Sequence, residues 1–479
     1  MTARVPRMTV TAVIAAASIA LVLPPSAAVA PDADRPTIPR ARADRSEPQE
    51  GPEVSHLNRV PGASDSLRRP DPRSEISVTE AIAPGAPSIT VDWVHTSDAR
   101  FRWTGADGGS PVTGFIVQLL QDGAMIDEIT DWTDAAVWIT DLDPGGSYEV
   151  RVAAQNTVGI GEFGSATFTT PLSTVERRFG ANRFETAVAV AADAFPEAPV
   201  AGAFLANGLD FPDALAAAAA AGALGGPVLL TEPKKLPGPV LSELSALSPE
   251  YLIVAGGPAS VSDDVAVSAA STSTVDAFRL FGANRFGTAA DVASLWADGS
   301  DVVYLANGLD FPDALAGAAA AGVLGAPVLL TETNRLPGET ATALRALAPT
   351  QIIVLGGTGA VSNAVVAAAA ASTGIETSTQ RLSGANRYDT AVAISKATFG
   401  GHGVPVAYVA SGASFADALA GAAAAGHLGG PVLLTESKTV PSSVLNEIVR
   451  LRPQRIVVLG GPTIVTDAVM AKVRAAADS

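Results

Sequence analysis

The stretch RLFGANRFGTA (279–289) ends an expected strand, turns at Gly282 and opens a helix at Asn284–Arg285. It is the middle one of three copies. RRFGANRFETA starts at Arg177 and RLSGANRYDTA at Arg381, so that Gly180, Gly282 and Gly384 fall at a constant spacing of 102 residues. Other pieces recur in phase: LANGLDFPDALA from Leu205 and Leu305, with VASGASFADALA from Val409, and PVLLTE from Pro227, Pro327 and Pro431. A strand followed by Gly-Gly recurs at Gly256–Gly257, Gly356–Gly357 and Gly460–Gly461. Each unit is large enough for a core of its own, unlike the short repeats of a solenoid.

Inside a unit, strands alternate with helices. In the second unit, strands are expected at 276–281, 302–306, 327–331 and 351–355, and helices at 284–296, 311–324, 338–346 and 362–371. The strands are rich in Val, Ile and Leu with little polar alternation, as in a parallel sheet covered on both faces. The helices at 211–224, 311–324 and 415–428 are built of small apolar residues nearly all round, which requires burial. Three such units on short links can bury these helices against one another in a closed pseudo-threefold arrangement.

Ahead of the repeats the texture changes. Residues 1–30 read as a secretory signal, with Arg4 and Arg7, an apolar run from Val10 to Leu23, and Ala28-Val29-Ala30 at the cleavage position. Residues 31–86 read as a mixed-charge, disordered linker. No later stretch suits a membrane span. Residues 87–172 alternate apolar and polar positions, as at Phe101 and Trp103, at Phe115, Val117 and Leu119, and at Tyr148, Val150 and Val152. The segments TGADGGSPVTGFIV and LDPGGSYEVRVAAQNTVGIG resemble a fibronectin type III domain. The resemblance implies a β-sandwich with Trp103 and Leu142 in the core and Tyr148 as the corner tyrosine.

The 479-residue chain has no cysteine, which excludes disulfides and thiolate metal sites. None of its four histidines recurs in all three units, which excludes a histidine-dependent reaction common to them. A net charge of −17 argues against general nucleic-acid affinity but leaves room for a local cationic groove. No metal site or cofactor is expected.

The loops after the strands lie on the carboxyl edge of the sheets, where open α/β folds place ligands. Each precedes a helix and should bring free backbone N–H groups to that edge, as an anion site requires. Asp210 and Asp213 fit a capping box, with Ser414 replacing Asp210 and Asp417 matching Asp213 in the third unit. Ser262, Ser362 and Thr466 also suit N-caps. Arg183, Arg285 and Arg387 start helices, where the helix dipole disfavours a cation. They need either a structural ion pair, with Asp213, Asp313 and Asp417 as candidates, or a bound anion. Arg177, Arg279 and Arg381 are expected to face solvent or a groove, free to fork-bond carboxylate or phosphate.

Taken together, the four motifs in fixed order resemble the type 2 cell-wall-binding repeat, in triplicate over 174–273, 274–375 and 376–479. The resemblance implies Toprim-like α/β modules in an intramolecular pseudo-trimer. It also implies non-covalent anchoring of a secreted protein to an anionic wall polymer, of the secondary wall polysaccharide or teichoic-acid type. The family's anchoring Pro-Ile-Leu-Leu element corresponds to Pro227–Leu230, Pro327–Leu330 and Pro431–Leu434, with Val for Ile. The polymer-binding candidates are then Arg177, Arg279, Arg381, Arg183, Arg285, Arg387, Asn207, Asn307, Ser411, Leu229, Leu230, Leu329, Leu330, Leu433 and Leu434. Ser411 and Ser383 replace Asn and Phe, so the third module is expected to hold the weakest site. The alternatives are a wall amidase or its modifier subunit, a metal-dependent Toprim-type phosphodiester reaction, and an adhesion protein acting through the sandwich. Signal, linker, sandwich and three modules fill the chain, which favours a non-catalytic protein. An acidic metal cluster is opposed by the change from Asp210 to Ser414.

Overall fold

A computed structural model describes residues 57–59, 81–105, 107–210, 212–310, 312–400 and 403–478. The signal sequence expected at 1–30 lies outside the described residues, as does the linker expected at 31–86 apart from 57–59 and 81–86.

The N-terminal domain has two antiparallel four-stranded sheets. One contains β1 (Leu57–Arg59), β2 (Ser88–Val94), β3 (Ala99–Thr104) and β6 (Ala136–Ile139), in the order β1-β6-β3-β2. The other contains β4 (Gly114–Gln121), β5 (Ala124–Trp132), β7 (Ser147–Gln155) and β8 (Ile160–Thr169), in the order β5-β4-β7-β8. Alternating residues meet between them: Phe101, Trp103, Val117, Leu119, Leu142, Val150 and Val152 are buried. The Tyr148 hydroxyl accepts the Asp143 N–H at 2.7 Å, the bond of a tyrosine corner. Three residues of the stretch read as linker extend this sheet, with Leu57 opposite Ile139. Main-chain pairing of so short a segment leaves no pattern in its side chains.

The remainder is three parallel-sheet modules. The first contains β9 (Thr174–Arg178), α1 (Arg183–Ala194), β10 (Gly202–Asn207), α2 (Pro212–Leu224), β11 (Val228–Thr231), α3 (Gly238–Leu247), β12 (Tyr251–Ala255) and α4 (Asp263–Ala270). The second contains β13 (Asp276–Leu280), α5 (Arg285–Val292), β14 (Val302–Asn307), α6 (Pro312–Leu324), β15 (Val328–Thr331), α7 (Gly338–Leu347), β16 (Gln351–Leu355) and α8 (Asn363–Ser372). The third contains β17 (Ser378–Leu382), α9 (Arg387–Thr398), β18 (Val406–Ser411), α10 (Ala416–Leu428), β19 (Val432–Thr435), α11 (Ser442–Leu451), β20 (Arg455–Leu459) and α12 (Asp467–Ala477). Among the described residues no helix is long and apolar enough to cross a membrane.

The strand that opens each module pairs with the sheet of another. The sheets run β11-β10-β12-β13, β15-β14-β16-β17 and β19-β18-β20-β9. Thus β13 completes the first sheet and β17 the second, while β9 pairs in parallel with β20 from Arg455↔Thr174 to Leu459↔Arg178. Asp193 reinforces this last junction by taking ion pairs from Arg178 (2.7 Å) and Arg455.

The helices α2, α6 and α10 each pack on the other two. Their faces are buried nearly all round, as small residues without an amphipathic stripe require. Gly222, Gly322 and Gly426 meet where they converge. A Cβ at Gly322 would lie 3.1 Å from the Gly426 Cα and 3.4 Å from the Gly222 Cα.

The sandwich docks on the third module through Arg452, the left-handed C-cap of α11 (φ 42°). Its guanidinium donates to the Asp141 and Leu142 carbonyls, both at 2.9 Å, and pairs with Asp143 at 2.8 Å. The equivalent caps, Ser248 and Ala348, share the conformation but lack the guanidinium. Arg452→Ala is expected to free the sandwich while changing array stability by less than about 1 kcal/mol, the scale of a partly exposed pair. Small-angle scattering would then show a larger radius of gyration; an unchanged profile would assign the docking to other contacts.

Candidate functional site

The recurrent motif builds three seams between modules. At each, a helix starts on an Asn cap whose side chain accepts two backbone N–H groups. Asn182 takes those of Phe184 and Glu185, Asn284 those of Phe286 and Gly287, and Asn386 those of Tyr388 and Asp389. The sequence reading expected these N–H groups to be free for an anion; the Asn side chains occupy them.

The next residue is Arg183, Arg285 or Arg387. Each turns its Nη1 onto a carbonyl of the following β-strand loop: Gly208 at 2.7 Å, Gly308 at 2.8 Å and Gly412 at 2.6 Å. Each also feels a half-buried carboxylate of the neighbouring module. Arg285 acts on Asp213, Arg387 on Asp313 and Arg183 on Asp417. The residue pairs expected from the sequence are therefore intermodular.

A threonine missed at the sequence level completes the link. The hydroxyls of Thr288, Thr390 and Thr186 hydrogen-bond to Asp213, Asp313 and Asp417, and accept the N–H of Gly282, Gly384 and Gly180. Burial raises the proton affinity of all three carboxyls, and the Thr and Arg contacts oppose that rise. Gly256, Gly356 and Gly460 have φ values of 109°, 89° and 94°, and a Cβ on any of them would collide with the same carboxylates. The recurrence of these threonines in the motif was the signal available.

The capping-box reading is corrected for the third module. In the third module the N-cap of α10 is Phe415, not Ser414, and no side chain caps it. Ser262 and Ser362 do cap α4 and α8, accepting the Val265 and Val365 N–H at 3.4 Å each, whereas the Thr466 side chain caps nothing.

Arg177, Arg279 and Arg381 do not face open solvent. Arg279 donates to the Gly256 and Val261 carbonyls at 2.7 and 2.8 Å and pairs with Asp263 at 3.0 Å. Arg177 does the same with Gly460, Val465 and Asp467. Arg381 bonds Gly356 and Asn363. These guanidiniums fasten the Gly-Gly loops, because those loops expose carbonyls that the sheets leave unpaired. Asn207, Asn307 and Ser411 are buried and organise their own turns, accepting the N–H of Leu209, Leu309 and Ala413. Leu229, Leu230, Leu329, Leu330, Leu433 and Leu434 are 0% exposed. They are core residues of β11, β15 and β19, and the folded chain presents none of them to a polymer.

One seam opens into a cleft of about 390 Å³ between the third and first modules. Phe179, Asn182, Arg183 and Thr186 line one side of it, and Ser414, Asp417 and Thr463 the other. Its mixture of a cation, an aromatic face and polar groups suits a small polar ligand with an anionic group.

Comparison with known proteins places this geometry in context. The family described as Cell wall binding domain 2 (CWB2) matches residues 177–266, 279–366 and 381–470, and the fibronectin type III domain matches 83–170. The chain is 29% identical over 301 residues to the N-acetylmuramoyl-L-alanine amidase LytC of Bacillus subtilis (strain 168), covering 63% of this chain and 57% of that protein. It is 30% identical over 274 residues to the amidase enhancer of the same organism, covering 57% of this chain and 36% of that one. It thus spans less than two thirds of either relative. The structure of Cwp6 from Clostridium difficile shares the fold, with a TM-score of 0.60 and 18% identity over 82% of this chain and 68% of that one.

Proposed function

The chain belongs to the Cell wall binding domain 2 family, and from that premise we propose that it is an exported, non-catalytic protein held on the cell wall by anionic wall polymer. One observation carries the reading: the same Arg, Asn and Thr arrangement recurs at three seams of a single body. Three weak sites on one body raise each other's effective concentration, so that wall affinity exceeds that of any one seam. In this reading the modules are Toprim-like and close in a pseudo-threefold ring. The pairing of β9 with β20 and the mutual packing of α2, α6 and α10 support the closure. The sandwich serves as a spacer or adhesion domain. Wall contact belongs to Arg183, Arg285 and Arg387 at the seams.

The full chain is expected to sediment with purified walls and to lose most of that binding once anionic polymers are extracted from them. Equal sedimentation before and after extraction would sink the reading. A second reading, wall hydrolysis, draws on the name of the LytC relative. Clearing of a wall suspension by the purified chain would favour it over anchoring alone.

A further inference from the structure

The three seams are built alike but charged differently. Asp210 adds its charge to that of Asp213 at the seam of the first and second modules, and Asp310 to that of Asp313 at the seam of the second and third. Asp310 also lies 3.8 Å from the Arg387 guanidinium. At the seam of the third and first modules the same position is Ser414, and Asp417 is the one acidic residue lining the cleft. Glu185 sits nearby but outside the lining, its carboxylate taken by the Ala181 N–H and the Asn182 amide.

Arg183 accordingly lacks the loop carboxylate, Asp210 or Asp310, that its two counterparts have at their seams. Among the described residues its guanidinium makes one hydrogen bond, to Gly208, and no ion pair, and it lies 5.6 Å from the centre of the Phe415 ring. Phe179, 47% exposed, stands on the same cleft against Gly461. Its counterpart Phe281 covers Gly257, but at the remaining seam the residue is Ser383 and nothing covers Gly357. Among the described residues, only the seam of the third and first modules joins an exposed Phe to a serine at the position that Asp210 and Asp310 hold at the other two.

We propose that this seam is the principal anion-receiving site of the array, binding a saccharide unit with a single negative group, its sugar face on Phe179 and its charge on Arg183. The inference rests on the wall-polymer reading above and ranks the three seams within it. Thr463 supplies a hydroxyl to the rest of the sugar. Two of the third module's departures from the repeat then act at different seams: Ser383 weakens one and Ser414 strengthens the other.

The test compares the full chain with Ser414→Asp and Ser414→Asn in pelleting with isolated walls. Asp restores the carboxylate of the other seams, and Asn matches its bulk without charge. Ser414→Asp is expected to weaken binding about tenfold, as a like charge within several ångströms of a bound anion does at protein surfaces. Ser414→Asn should change it less than about twofold on the same reasoning. The converse pair Asp310→Ser with Ser383→Phe should raise binding. Thermal midpoints within a degree or two of the parent's would show that each variant is folded. Titration with phosphorylated dextran and with polygalacturonate identifies the anion as phosphate or carboxylate, with plain dextran as the neutral control. Binding of plain dextran as strong as that of both anionic probes would overturn the anionic assignment. If the parent pellets with walls and Ser414→Asp pellets equally well, the ranking of seams is overturned while anchoring stands. If the parent does not pellet with walls, the anchoring reading fails and this inference falls with it.

Discussion

Gly322→Val is expected to destabilise the array by about 3 kcal/mol or more, at the upper end of the cost of overpacking a tight core. Gly222, Gly322 and Gly426 bring the backbones of α2, α6 and α10 together, and what a Cβ at Gly322 meets is the Cα of the other two glycines. A backbone atom cannot rotate out of the way as the end of a side chain can. Relief therefore requires two helices to move, and both belong to other modules. In heat denaturation the midpoint should fall by about 6 °C or more for an array of this size, and proteases should cut earlier at the links between modules. Gly338→Ala is the matched control. It sits at the first position of α7, where an added Cβ meets nothing within 4 Å, so it should be neutral within about 0.5 kcal/mol. An unchanged midpoint for Gly322→Val would mean that the three helices do not meet as described.

Arg279→Met is expected to cost about 2–4 kcal/mol, because it strips partners from buried acceptors rather than removing one surface charge. The Arg279 side chain is 3% exposed, and its guanidinium holds two carbonyls of one loop. Met replaces the stem but leaves both carbonyls and Asp263 without it. Burial already lowers the proton affinity of this arginine, and Asp263 counters that. The urea midpoint should drop with the slope of the transition unchanged, and wall binding should fall only with the folded fraction. A variant with the parent's midpoint that no longer bound walls would instead assign this guanidinium to the polymer.

Much of the architecture was legible. The helix expected at 284–296 is found as α5 followed by a short 3₁₀ turn at Ala293–Leu295, and the small-residue helices are buried as their composition demanded. Less legible was which sheet a strand joins. β13 runs into the motif and reads as the opening of a unit, yet it pairs with β12, because main-chain pairing in a short parallel strand carries no mark of its neighbour. Arg279 shows the same limit at a side chain. Its partners are main-chain carbonyls, which every residue has, so no spacing of charged residues announced them. In the segments PVLLT the Leu pairs fit a core strand as well as an anchoring element, and only the burial decides between the two. The site itself was sought within a module, whereas the motif's arginines act on carboxylates of the adjacent one. In sequence Ser414 consequently reads as a substitute helix cap, not as a change of charge at a seam.

The strand β9 has a mechanical consequence. It is the first element of the array after the sandwich, and it is zipped along its length to β20, near the end of the chain. Ser173, between sandwich and array, is itself bonded to the Pro453 carbonyl at 2.7 Å. Tension applied through the sandwich thus enters the array at the third module, not at the head of a string of beads. Pulled along its axis, β9 shares the force among several hydrogen bonds to β20 at once, reinforced by the ion pairs of Asp193 with Arg178 and Arg455. A pull on the sandwich therefore loads the junction of the third and first modules before it reaches the other two seams.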